Sequence, residues 1–211
     1  MQIKLLNPSV LIPLTILFVF MYWYQWSANV LSPAEVDRYM GIIEAQTQTP
    51  GAQHDLPALR QFLNEDDGKP VYTVNLYKFR ELADYPKATG LSGTGEQAYD
   101  RFSNIMVPLM IKRGSHPIFG STWADQANSN WDRIVIVKYR SRRDLVDLFA
   151  TDDFAEASLH KWASLQDHER MLVQGIHIPS GIYVISLVAI LIGIVMPPIL
   201  KQTLQLRQRR P

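Results

Sequence analysis

Two long stretches of the chain are predominantly apolar and carry no charge. Residues 9–26 read SVLIPLTILFVFMYWYQW and residues 178–200 read IPSGIYVISLVAILIGIVMPPIL, neither with a charge. About 20 apolar residues suffice to span a bilayer, so the pattern predicts an N-terminal and a C-terminal transmembrane helix. A cleaved leader is the competing reading of the first run. Its best small-residue cut lies after Ala28, and the bulky Trp26 two positions earlier fits such a site poorly. Tyr22, Trp23, Tyr24 and Trp26 instead form an interfacial aromatic belt.

Between the two runs the periodicity changes several times. Ser32-Pro33-Ala34-Glu35 is a capping-box pattern, and Val36, Tyr39, Met40 and Ile43 follow at helical spacing. Asp55 can cap a second helix carrying Leu56, Leu59, Phe62 and Leu63. After the DDGKP turn, VYTVNLYKF at 71–79 predicts a strand with both faces substantially apolar. A long Gly- and Pro-containing loop leads to a helix over 96–112 with Pro108 inside it. Strands follow at 116–124 and 131–139. Ser141 caps a further helix, which a second start at Thr151-Asp152-Asp153 breaks in two. The last strand is expected over 169–177. In WDRIVIVKYRSRRD, residues 131–144, Trp131, Arg133, Val135, Val137 and Tyr139 share one stripe. Arg142 and Arg143 read as solvated first-turn residues.

The predicted order is β-α-β-β-α-β, so the fold class is α+β, a ferredoxin-like split βαβ domain flanked by two transmembrane helices. The expected organisation is an anchor over 1–29, a helical lead-in over 30–70, the ferredoxin-like domain over 71–177, a second spanning helix over 178–200 and a basic tail over 201–211. Helices would cover one face of such a sheet only. The face carrying Tyr77, Phe79, Val135, Val137 and Tyr139 is expected to need another cover, most simply a second copy of the chain.

Charge refines this picture. All 20 acidic residues lie between Glu35 and Glu169, and 16 of the 21 Lys and Arg lie between Arg38 and Arg170, which leaves the middle at −4 (16 against 20). An acidic domain argues against nucleic acid as a ligand. Lys4, Lys201, Arg207, Arg209 and Arg210 lie at the two ends, where the positive-inside rule predicts cytoplasmic termini. The central domain is then extracytoplasmic (periplasmic), in an inner or plasma membrane. The absence of cysteine excludes disulfides, thiol catalysis and Cys-type zinc sites.

The segments VNLYKFRELADYP at 74–86, GEQAYDRF at 95–102, WDRIVIVKYRSRRDLVDLF at 131–149 and FAEASLHKWASLQDHERML at 154–172 together resemble an uncharacterised bacterial family of the dimeric α/β-barrel superfamily. The resemblance covers roughly residues 55–175. It implies a homodimer whose sheets close into one barrel, with a pocket in each protomer. It implies no particular reaction, since that family has none assigned.

Five residues stand out as candidate ligand contacts. Asn75 is polar in an apolar strand and must find partners if buried. Tyr77 shares its face, His116 opens the second strand, and Trp131 and Arg133 begin the third. An Arg133 ion pair with an acid of a second protomer is the expected structural use of that residue. The histidines have no metal-ligand spacing, so neither a metal nor another cofactor is expected. No Ser-His-Asp pattern, phosphate loop or dinucleotide fingerprint occurs. The expected function is a membrane-anchored, dimeric binding or accessory module. Its expected partners are the lipid bilayer, a second copy and other membrane protein subunits. The alternative is a small cofactor-free oxygenase or isomerase acting on an apolar or lipid-derived substrate.

Overall fold

The structure is a computed structural model that describes residues 8–25, 29–46, 55–122 and 130–175, with residues 185, 187–194, 196–197 and 201 of the C-terminal part. The chain divides into two compact units, Tyr24–Gly175 and a second formed by Met1–Trp23 with Ile176–Pro211.

Helix α1, Pro8–Gln25, accounts for most of the first predicted span. Its 18 residues rise about 27 Å, against a hydrocarbon core of about 30 Å, and Tyr-Trp-Tyr-Gln takes up its last turn. Among the described residues no helix is long and apolar enough to cross a membrane. Most of the second predicted span lies outside the described residues, though Leu187–Ile194 is helical.

In the larger unit the sheet consists of β1 (Val71–Phe79), β2 (His116–Thr122), β3 (Arg133–Tyr139) and β4 (Leu165–Val173). All pairings are antiparallel and the order is β2-β3-β1-β4, the ferredoxin-like arrangement. β-Branched and aromatic residues fill β1, which suits a strand covered by neighbours on both edges. Helix α4, Gly95–Ile111, starts on a capping box in which the Thr94 hydroxyl and the Gln97 side chain each bond the other's backbone N–H. It continues three residues past Pro108. Helices α5 (Arg142–Phe149) and α6 (Asp152–Ser164) are the two halves expected after Ser141 and Thr151, and both hydroxyls accept N-cap bonds.

The lead-in forms α2 (Pro33–Gln46) and α3 (Leu56–Asn64) and packs into the same unit. Val36, Tyr39, Met40, Ile43, Leu59 and Leu63 join Leu145, Val146 and Leu148 in one core. Here the arginines of α5 correct the sequence reading. Arg142 is buried, stacks over the Phe62 ring at 4.5 Å and donates to the Phe62 carbonyl. Arg143 donates to Glu35 at 2.5 and 3.0 Å and to the carbonyls of Asn29 and Val30. Its guanidinium holds the Glu35 carboxyl well below the usual carboxylate range. These residues are clasps rather than solvated charges, because α2 and α3 cover the face that an isolated helix would expose.

The two sheet faces also differ from expectation. Tyr77, Phe79, Val135, Val137 and Tyr139 are buried in the chain's own core with α4 residues Tyr99, Met106 and Met110. The opposite face holds the half-buried Val74, Leu76, Ile134 and Ile136, with Phe119, Met171 and Val173 exposed. Alternation reveals two apolar stripes but not which one the helices will take.

The last strand begins four residues earlier than expected. Leu165 is already extended at φ −101°, ψ 127°, so α6 passes into β4 without a linker. Backbone bonds fix this junction: Arg80 N donates to Ser164 O at 2.9 Å and Asp84 N to Ala163 O at 2.8 Å.

Candidate functional site

Register puts Thr73, Asn75 and Tyr77 of β1 beside Val137, Val135 and Arg133 of β3, and beside Leu172, Arg170 and His168 of β4. All point toward α4, since strand side chains alternate between faces. Between this face and α4 lies a cavity of about 80 Å³. Its walls are largely apolar: Phe102, Met106, Met110, Val135, Val137, Phe149 and Phe154. Into it project Asn75, Tyr77, Tyr99, Tyr139, Lys161 and Arg170. Among the described residues no Asp or Glu lines it.

The polar groups fall into two sets. The first is satisfied internally. Asn75 Nδ2 donates to Thr73 Oγ1 at 3.0 Å and to Val135 O at 3.2 Å. With its amide so oriented, Oδ1 is the acceptor facing His168 Nε2 at 3.2 Å, which assigns the ring proton to Nε2. The His168 ring stacks on Tyr77, with centroids 5.1 Å apart, and meets Trp162 edge-on. Tyr77 and Tyr99 are hydrogen-bonded to each other, and Tyr139 to Thr73. Burial pushes the Tyr77 phenol well up and the Tyr139 phenol up to about 12, so both stay neutral.

The second set is cationic and uncompensated. Lys161 Nζ lies 4.9 Å from the Trp162 ring, 5.8 Å from Tyr77 and 5.9 Å from Phe102. Among the described residues it forms no hydrogen bond or ion pair. Burial, and then the Arg170 charge, bring its amine down to about 7. Burial, then Lys161 and Arg170, bring His168 down to about 3. Half-buried Lys161 and exposed Arg170 thus border an apolar cavity that no carboxylate lines among the described residues.

A shallower cleft adjoins the cavity and shares Tyr99, Ser103, Pro117 and Val135 with it. Phe119, Gly120, Ser121 and Arg133 complete the cleft. Arg133 stacks over Phe79 and Tyr99 at 5.0 and 5.4 Å and lies 3.6 Å from the Glu96 carboxylate. Its acidic partner is therefore within its own chain, where the sequence suggested a second protomer.

Of the five residues singled out in the sequence, Asn75 and Tyr77 line the cavity and Arg133 lines the cleft. His116 does not join them. It pairs with Lys138 on the opposite face, where its Nε2 bonds the Tyr24 hydroxyl at 2.6 Å. Trp131 precedes β3 and lines neither space. Its neighbour Asp132 has a structural task, accepting from Phe79 N at 2.7 Å and from Lys78 Nζ at 2.9 Å where β1 shifts register. Among the described residues no three His, Asp or Glu side chains gather as a metal-binding group.

Sequence reading missed Lys161, Arg170, Tyr99, Tyr139 and His168. A signal existed for Lys161. Phe154, Ser158, Lys161 and Leu165 recur at helical spacing, so a cation sits on the core-facing stripe of α6.

No family model matches the chain, and no curated protein matches it. Solved structures do. Two crystal structures of RPA0582, a protein of unknown function from Rhodopseudomonas palustris, are similar to this chain. The methylated form aligns at TM-score 0.54 with 22% identity, covering 59% of this chain and 94% of that one. The other aligns at 0.52 with 21% identity, covering 60% and 97%. At3g17210 from Arabidopsis thaliana aligns at only 0.34 with 14% identity, over 52% of this chain and 98% of that one. The RPA0582 likeness shows a shared fold: α+β, with helices against one four-stranded antiparallel sheet.

Proposed function

We propose that the Tyr24–Gly175 unit is a binding module for a small organic anion. The observation that carries this is the cavity lined by Lys161 and Arg170 and, among the described residues, by no carboxylate. Lys161 is half-buried with no hydrogen bond or ion pair from its amine among the described residues, and an anionic ligand supplies that partner. An 80 Å³ cavity suits a molecule of roughly six heavy atoms. Drug-sized ligands need about 300 Å³ or more, so this volume lends no support to a lipid-derived substrate.

The test is thermal unfolding of the full chain in mild detergent with lactate, pyruvate and the neutral lactamide. Saturation at about 100 times the dissociation constant stabilises by about 2.7 kcal/mol. Lactate and pyruvate are expected to raise Tm and lactamide to leave it unchanged, with the gain lost in Lys161→Met and Arg170→Met. Equal stabilisation by lactamide would remove the electrostatic basis of the proposal.

Membrane attachment and pairing with a second copy belong to the same reading. Leu11, Ile12, Ile16, Phe18, Val19 and Phe20 are exposed around α1, a distribution that suits a lipid surrounding. With the basic ends in the cytoplasm, the binding unit faces the other side. The exposed apolar sheet face supports a homodimer as its cover.

A further inference from the structure

We propose that Lys161 is a covalent site, a free amine that condenses with the carbonyl of a small oxo acid held in the cavity. The proposal rests on the reading of the cavity as an anion site and extends it to a chemical class of ligand. Three observations carry it. Lys161 lines the cavity, and its Nζ forms no hydrogen bond or ion pair among the described residues. The Trp162, Tyr77 and Phe102 rings lie within 4.9–5.9 Å of Nζ and displace part of the water around the half-buried amine. The remaining titratable groups facing the cavity are Tyr77, Tyr99, Tyr139 and Arg170, with His168 beside them, and none is an acid that would hold Lys161 protonated. Desolvation beside another cation is how a lysine becomes a nucleophile near neutral pH, and the fall of this amine to about 7 agrees with that setting.

The chemistry balances without a cofactor. The Nζ lone pair adds to the carbonyl carbon, and a proton passes from nitrogen to the new alkoxide. The carbinolamine then loses its hydroxyl, with the second nitrogen proton, as water, which leaves a C=N bond. Arg170, the other cation of the cavity, offers a partner for the carboxylate of the same oxo acid.

The experiment treats the full chain in mild detergent with pyruvate and cyanoborohydride at pH 7.5, then measures intact mass and maps the modified peptide. The reagent reduces the imine to a stable secondary amine. The expected result is a single adduct on Lys161, formed about tenfold or more faster than on any other lysine. Lys161→Arg should carry no adduct at that rate, and wild type with lactate should carry none. An adduct spread over surface lysines, or centred on Lys138, would overturn the proposal. The same samples separate the two readings. Stabilisation by lactate and pyruvate without an adduct sinks the covalent step alone. A rapid Lys161 adduct without stabilisation by lactate sinks the anion site and keeps the amine.

Discussion

His168 makes the domain sensitive to acid. It is neutral in the fold, held down to about 3 by burial and by Lys161 and Arg170, whereas in the unfolded chain it titrates near 6.5. Between those values the unfolded state binds the extra proton. Stability therefore falls as pH drops from about 6.5 toward 3, by at most about 1.4 kcal/mol per pH unit from this group. Chemical denaturation of wild type and His168→Gln from pH 7 to 4 should show a shallower loss in the variant. Parallel curves would mean that another group sets the acid limit. Single residues were also the hardest part of the site to read in advance. Asn75 announced itself as a polar residue inside an apolar strand. Lys161 did not, because Leu159 and Trp162 are the larger apolar residues of α6 and lie one position away from the line through Ser158 and Lys161.

Helix starts were legible because their chemistry is local. Ser32, Asp55, Ser141 and Thr151 each mark a helix, through hydroxyl or carboxylate bonds to backbone N–H groups within three residues. The end of α6 was not legible, since no Gly or Pro separates it from β4 and the bonds that fix it come from Arg80 and Asp84, some 80 residues earlier. The same junction constrains α4. A Cβ on Gly95 would lie 2.3 Å from Arg80 O, 2.6 Å from Ser164 O and 2.8 Å from Arg80 N, all backbone atoms. Gly95→Ala should therefore cost on the order of 2 kcal/mol or more, since overpacking of this kind has no flexible side chain to yield. A drop in Tm of several degrees is the expected readout, and an unchanged Tm would show that the α4 start can move.

On the scale of the molecule, the four-stranded sheet was legible from strand order and patterning, and its exposed face was not. Both stripes of β1 and β3 are apolar, and only the three-dimensional path of α4 and α6 decides which is buried. The face left over offers a test of the dimer. Ile136 is half-buried there and sits between Val74 on β1 and Phe119 on β2. Ile136→Glu should convert a dimer to a monomer in light scattering while leaving the fold's circular dichroism intact, because a charge in an apolar interface goes unpaired. A wild-type chain that is already monomeric would remove the second copy as the cover of that face.

Edge strand β2 borders both spaces of the candidate site. Pro117 borders both the cavity and the cleft, and the register of β2 slips between Pro117 and Phe119. Gly120 follows, opposite Val135, and a Cβ there would meet nothing within 4 Å. The cavity and the cleft thus meet along a stretch where the sheet has a proline without an N–H, a slipped register and a missing side chain. A side chain at Gly120 has open space to enter, so the shape of the cleft beside the cavity can evolve there while Lys161 and its aromatic neighbours stay unchanged.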